Sequence, residues 1–321
     1  MLRMILTYLS QATWARNTVQ NWGFAKRTAS RFVAGETLDQ AIAVVKKLNE
    51  RGITTTLDHL GENVNSAEEA NQASGEILKI IDKLKKEPVS SGVSIKLSQI
   101  GLVIDPLICE KNLLDIFTKA KEEKIFIRVD MEDSQLTQIT YDVYQRTVQN
   151  GFDDIAGIAI QAYLYRSEND LINLIENGTR IRLCKGAYKE PRTIAYPSKS
   201  DVDRNFDHLT YLLLKKSGER DSRISSDGGI PPIPAIATHD QDRVNQTLDY
   251  IQDLDLSKEN LEFQMLYGIR EDLQNELVEK GYPVRVYVPY GQEWYPYFVR
   301  RLAERPANLW FFLSNLLRRK V

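Results

Sequence analysis

Cysteine and histidine are scarce in this chain: two of the first, Cys109 and Cys184, and three of the second. Two thiols build neither a disulfide framework nor a metal quartet, so no metal site is expected. An excess of one charge is also missing. The 42 Lys plus Arg are matched by 44 Asp plus Glu, which removes any whole-chain case for nucleic acid or an acidic partner. No uninterrupted apolar run is long enough to span a bilayer. Neither a Rossmann fingerprint nor a Walker loop occurs, so a nucleotide cofactor would have to be held by some other frame.

The N-terminal stretch MLRMILTYLSQATWARNTVQNWG is amphipathic and lacks a small-residue cleavage site after an apolar core, so it does not read as a secretory signal. Arg3, Arg16, Lys26, Arg27 and Arg31 all precede the first acid, Glu36, a bias that mitochondrial transit peptides share. The expected location is cytoplasmic, peripheral at the inner membrane or, in a eukaryote, mitochondrial. The apolar run LWFFLSNLLRRKV, 309–321, either touches a membrane or packs as the end of the last helix.

Residues 1–50 read as a helical segment in which Leu38, Ile42, Val45 and Leu48 form one stripe, ending at Gly52. From 51 to 321 the pattern alternates. β-rich runs begin near Ile53, Val93, Ile125, Gly157, Arg180, Pro234, Leu261 and Val284, each followed by a helical segment. Eight alternations predict a (β/α)8 TIM-type barrel with extra N-terminal helices. The polar, Gly/Pro-rich GERDSRISSDGGIPPIP before the sixth run predicts a surface loop.

Strand parity locates the chemistry. In VSIKLS the residues Val93, Ile95 and Leu97 oppose Ser94, Lys96 and Ser98; in IFIRVD, Ile125, Ile127 and Val129 oppose Phe126, Arg128 and Asp130. The apolar faces should meet the outer helices. That leaves Lys96, Arg128, Asp130, Arg182, Glu262, Gln264 and Arg285 inside, where barrels of this kind normally carry branched apolar residues. Buried charges need partners, so such an interior points to a site. Lys96, Asp130, Gln161, Arg182, His239 and Tyr287 fall near the C-terminal ends of their strands, where barrel enzymes work; His239 alternatively caps the next helix. Lys185–Tyr188, KGAY, supplies a glycine for close backbone approach and a cation for a phosphate.

The stretch VRVYVPYGQEWYPYFVRRLAERPAN, 284–308, reads as a strand, a break at Pro289, Tyr290 and Gly291, and a helix opening near Pro296. Arg300 and Arg301 then lie within about two turns of the helix start, where two guanidinium forks suit a small carboxylate or phosphate.

RLCKGAY (182–188), ATHD (237–240), EFQMLYG (262–268), VYVPYG (286–291) and YFVRRLAERPAN (297–308) resemble the motifs of the proline dehydrogenase family, as do LGEN (60–63), SIKLSQIG (94–101), IRVDMED (127–133) and IQAY (160–163). The resemblance runs in order from about Ile53 onward and is similar in length to the short monofunctional bacterial form. It implies FAD-dependent oxidation of L-proline to Δ1-pyrroline-5-carboxylate, with a membrane quinone as electron acceptor. By the same resemblance, Arg300 and Arg301 hold the substrate carboxylate, Lys96 lies in the substrate site, and Tyr287 and Leu266 pack on the proline ring. Asp130 and Arg182 match the catalytic pair, with Arg182 near the flavin N5. Met131, Gln161, Lys185, Gly186, Ala187, Thr238 and His239 match FAD contacts, and Glu62 matches a gate pairing with the first helix arginine. Other classes that fit a lysine-bearing barrel are a Schiff-base lyase using Lys96 or Lys185 and a non-catalytic carboxylate-binding barrel.

Overall fold

A computed structural model describes residues 29–61 and 64–304. Eight parallel strands close on themselves in sequence order: β1 (Thr54–His59), β2 (Ser91–Ile95), β3 (Ile127–Val129), β4 (Ala156–Gln161), β5 (Arg180–Cys184), β6 (Pro234–Ala237), β7 (Glu262–Leu266) and β8 (Val284–Tyr290). The helices are α1 (Leu38–Asn49), α2 (Ala67–Lys86), α3 (Pro106–Glu123), α4 (Ser134–Val148), α5 (Ser167–Glu176), α6 (Lys199–Glu219), α7 (Gln241–Asp253), α8 (Glu271–Glu279) and α9 (Trp294–Glu304). This is the (β/α)8 architecture. Residues 1–28, with the helices expected there, lie outside the described residues, as does the run 309–321.

Local signals explain where the helices begin. Thr37 accepts the Gln40 amide while the Gln40 side chain returns to the Thr37 N–H, closing a capping box at α1. Ser66, Asp105, Asp133, Ser198 and Asp240 cap α2, α3, α4, α6 and α7 by the same side-chain logic. Val93, Ile95, Ile127 and Val129 join Ile77, Ile80, Ile81, Ile116 and Phe117 of α2 and α3 in one large core. The apolar parity set therefore faces the helices. Ala41, Ile42, Val45 and Leu48 of α1 belong to that same core.

Three boundaries differ from the sequence expectation. The strand β8 runs through Pro289 and Tyr290 instead of breaking there. At that height β7 has ended, and Pro289 needs only its carbonyl, which accepts the Ala34 N–H at 2.8 Å. A missing N–H costs nothing in that position. The turn is confined to residues 291–293 and opens on Gly291, whose φ of +130° favours glycine. Helix α9 opens at Trp294, two residues before Pro296. Lastly, the loop before β6 is only half a surface loop. Its outer part is exposed, but Pro231, Pro232 and Ile233 are buried. The Asp227 carbonyl accepts the Ser90 hydroxyl at 2.8 Å, and the Gly228 carbonyl accepts Arg285 Nη2 at 2.7 Å. The loop thus closes the N-terminal mouth of the barrel.

The segment 29–36 seats α9. Ala29, Phe32 and Val33 pack against Trp294, Tyr295, Phe298 and Val299. Trp294 Nε1 donates to Glu36 at 3.2 Å, and the Arg31 carbonyl sits where a Cβ on Gly268 would fall.

Candidate active site

Polar side chains from six strands meet inside the C-terminal half of the barrel. Lys96 Nζ donates to Asp58 at 3.0 Å and to the Tyr287 hydroxyl at 3.3 Å, and lies 3.7 Å from Asp130. The Tyr287 hydroxyl donates to the other side of the barrel, reaching Asp130 Oδ2 at 2.7 Å. Arg182 donates to Asp130 through Nη1, to Gln264 through Nε and to Ser94 through Nη2 at 3.0 Å. Its guanidinium also lies 5.2 Å from the centroid of the Tyr287 ring. Burial first, and then the Asp130 and Asp58 charges, push the Tyr287 phenol well above its ordinary value. Tyr287 is therefore a hydrogen-bond donor here and not a base.

Asp58 was not read from the sequence as a site residue. It is 1 % exposed and supplies the nearer of the two carboxylates around Lys96. Parity applied to TTTLDH would have put Thr54, Thr56 and Asp58 on one face, but three consecutive threonines give no apolar contrast to read.

The rim carries the remaining candidates. Gln161 Nε2 donates to the Met131 carbonyl at 3.3 Å, while its Oε1 is buried without a partner. Gly186 has φ +102°, and a Cβ there would come within 2.3 Å of the Tyr163 ring. Glycine is needed both for the turn and for the close approach. Ala187 follows on the exposed outer part of this turn. Lys185, expected to offer a cation to a phosphate, sits between two carboxylates: Asp203, and Asp240 at 2.7 Å. Burial pushes Asp240 up, but the bonds from Lys185 and Lys199 outweigh it and bring it down to about 2.

Thr238 Oγ1 accepts the Asp240 N–H at 3.1 Å. His239 Nε2 accepts the Leu266 N–H at 3.0 Å, so its ring proton belongs on Nδ1. The side chain that caps α7 is Asp240, not His239. Burial pushes the Cys184 thiol up to about 11, which keeps it an inert neighbour.

Leu266, at the end of β7, packs on the Trp294–Phe298 cluster of α9, the helix that also carries Arg300 and Arg301. The Arg301 guanidinium lies over the Tyr297 ring, 5.0 Å from its centroid. Arg300 and Arg301 are both half-buried. Glu62, the expected gate, lies outside the described residues. Among those residues, no group of three or more His, Cys, Asp and Glu could hold a metal ion. No helix among them is long and apolar enough to cross a membrane.

Known proteins resemble this chain over nearly its whole length. The family profile described as Proline dehydrogenase matches residues 41–313. Proline dehydrogenase 1 of Bacillus subtilis is 37% identical over 319 residues, covering 99% of this chain and 100% of that one. Proline dehydrogenase of Deinococcus radiodurans is 38% identical over 293 residues, 90% of each chain. Among solved structures, proline utilization A from Bdellovibrio bacteriovorus, inactivated by N-propargylglycine, superposes with a TM-score of 0.76 at 28% identity. That match covers 87% of this chain and 32% of the larger protein. A closed eight-stranded barrel enclosing a paired lysine and a cross-barrel Tyr–Asp–Arg set, matched nearly end to end by such relatives, belongs to the proline dehydrogenase family.

Proposed function

We propose that this chain oxidises L-proline to Δ1-pyrroline-5-carboxylate on a bound FAD and hands the electrons to a quinone. The observation that carries the reading is the cross-barrel set Lys96–Tyr287–Asp130–Arg182, a fixed hydrogen-bonded ion-pair network at the C-terminal end of the barrel. No side chain can accept a hydride, so oxidising a secondary amine requires a redox group. The residues fit a flavin. Gln161 holds out an unpartnered amide oxygen, Gly186 lets backbone approach closely, and Arg182 is held rigid by three partners.

The roles of the chain's own residues follow from that geometry. Arg300 and Arg301 clamp the substrate carboxylate and so fix which ring carbon faces that network. Tyr287 and Leu266 bear on the ring, and the aromatic cluster of α9 keeps water from it. Lys96, oriented by Asp58, and Asp130, oriented by Tyr287 and Arg182, form the ion pair beside the amine. Met131, Gln161, Lys185, Gly186, Ala187, Thr238 and His239 would line the cofactor, and Glu62 would close the mouth on Arg300. When bound, FAD supplies the hydride acceptor. Arg182 is the cation that favours the negative charge of the reduced ring. In the lyase alternative Lys96 or Lys185 would be the nucleophile, but each is engaged by two carboxylates, and a nucleophilic amine needs a free lone pair.

A visible spectrum of the pure protein is the first test. A flavin band near ~450 nm should bleach when L-proline is added without oxygen and return with a soluble quinone. A colourless protein that is trapped by borohydride with a carbonyl substrate would replace this reading with the lyase. A flavin that bleaches with proline yet ignores quinone would remove only the acceptor.

A further inference from the structure

The charges inside the barrel do not cancel. Lys96, Arg128, Arg182 and Arg285 share the interior with Asp58, Asp130 and Glu262, which leaves one cation in excess; Arg180, on the same strand face as Arg182, is only half-buried and reaches the Pro231 and Asp153 carbonyls. Lys96 pairs with Asp58 and Asp130, Arg182 with Asp130, and Arg285 with Glu262. Glu132, farther out on the rim, is taken up by the Ser98 amide and hydroxyl. The unmatched group is Arg128.

Arg128 is 1 % exposed and has no carboxylate partner among the described residues. Its Nη1 donates to the carbonyls of Ile158, at 3.3 Å, and Arg180, while Nε and Nη2 are buried without partners. The guanidinium lies 4.8 Å from the Phe126 ring centroid. Gly157 makes the room: a Cβ there would fall 2.5 Å from Arg128 Nη1. The register pairs Arg128 with Gly157 and Gly157 with Arg180. Arg128 therefore lies one pleat below the level of Arg182, about 7 Å along the strands. Burial pushes its guanidinium well down from the ordinary value, the Arg182 charge acts the same way, and Glu262 opposes. A guanidinium nevertheless keeps its proton in proteins.

An unpaired buried cation is costly, and a hydrophobic residue of similar volume would avoid that cost. A neutral structural tie would need only a hydrogen-bond donor to the Arg180 carbonyl. What distinguishes arginine here is a fixed charge in a low-dielectric interior, where its field decays slowly toward the mouth.

We propose that Arg128 is a positioning charge of the active site: acting through its field and without contact, it biases the bound flavin toward the anionic reduced form. The proposal rests on the flavin reading above. The test is spectroelectrochemical, on holoenzyme whose flavin content is measured first; a flavin-free wild type would fail the cofactor reading and leave nothing to titrate.

In Arg128→Met and Arg128→Gln the reduction equilibrium should move at least tenfold toward oxidised flavin, about 30 mV for a two-electron couple. Arg128→Lys should remain close to wild type, because it keeps the charge. Glutamine retains an amide donor for the Arg180 carbonyl, so it separates lost charge from lost hydrogen bonding. Unchanged potentials in the neutral variants, or a lysine variant shifted as far as the methionine one, would overturn the proposal. So would failure of the neutral variants, or of all three, to accumulate as folded holoenzyme, since Arg128 would then be a structural anchor.

Discussion

Arg300 and Arg301 are the residues on which the substrate assignment stands. Replacing either with Met should raise KM for proline steeply while flavin content holds, since the proposed cofactor contacts lie on other elements. Removing one partner of a buried charged pair costs about 2–5 kcal/mol, roughly thirty- to several-thousand-fold. Lysine should rescue only in part, because a point charge cannot reproduce a bidentate fork. Steady-state kinetics decide it, with pyrrolidine as the carboxylate-free control whose turnover should barely respond.

Asp58 leads to a different experiment. If it works by holding Lys96, then Asp58→Asn should lower kcat/KM in the wild-type background and change little once Lys96→Met is present. Simple additivity of the two losses in a double-mutant cycle would show that they act independently. Parity had already placed Lys96, Arg128, Asp130 and Arg182 inside the barrel. Asp58 escaped it because Thr54–Thr56 offers no apolar face for contrast.

Among elements, the β5–α6 and β6–α7 connections are coupled by charge. Asp240, which caps α7, and Asp203 of α6 both hold Lys185. Asp240 drops from 3.8 to about 2, burial opposing and the lysine bonds prevailing; Asp203 is also lowered. A lowered carboxylate stabilises the fold above its unfolded value and loses that contribution as pH falls through the folded one. The contribution of Asp240 should therefore be level down to about pH 4 and be lost between about 4 and 2, roughly 2 kcal/mol, while Asp207, pushed up to about 6 by burial, adds a slope of the opposite sign between about 6 and 4. Denaturant titrations at stepped pH should show this component reduced in Lys185→Met. An undiminished acid transition in that variant would mean that other carboxylates carry it.

The element boundaries were legible where a glycine marked them, as at Gly52. They were misjudged at Pro289. Proline usually ends a strand, but here its neighbour on one side has stopped and only its carbonyl is needed. Lys185 was likewise legible as a cation. Its two carboxylate partners come from α6 and the cap of α7, 18 and 55 residues away, a distance that no local pattern spans.

At the scale of the molecule, the loop before β6 and the Arg285–Glu262 pair seal the barrel floor. Glu262 is fully buried and binds Arg285 at 2.9 Å. Glu262→Ala should cost about 3–5 kcal/mol of stability by stranding that guanidinium. Urea denaturation measures it; a loss under about 1 kcal/mol would mean that the Thr55 and Gly228 carbonyls alone hold Arg285.

The seam between β1 and β8 has a consequence in time. Thr54 and Val284, joined by a hydrogen bond across that seam, are 230 residues apart, and the Lys96 ammonium bridges Asp58 and Tyr287 there. During synthesis the early strands must wait at the ribosome for β8 before the barrel can close. Until then Lys96 lacks its Tyr287 partner, and the cross-barrel set is incomplete. The protein becomes able to recognise its substrate only after β8 has been added, so any pause between β7 and β8 prolongs an open-edged sheet that no ligand can protect.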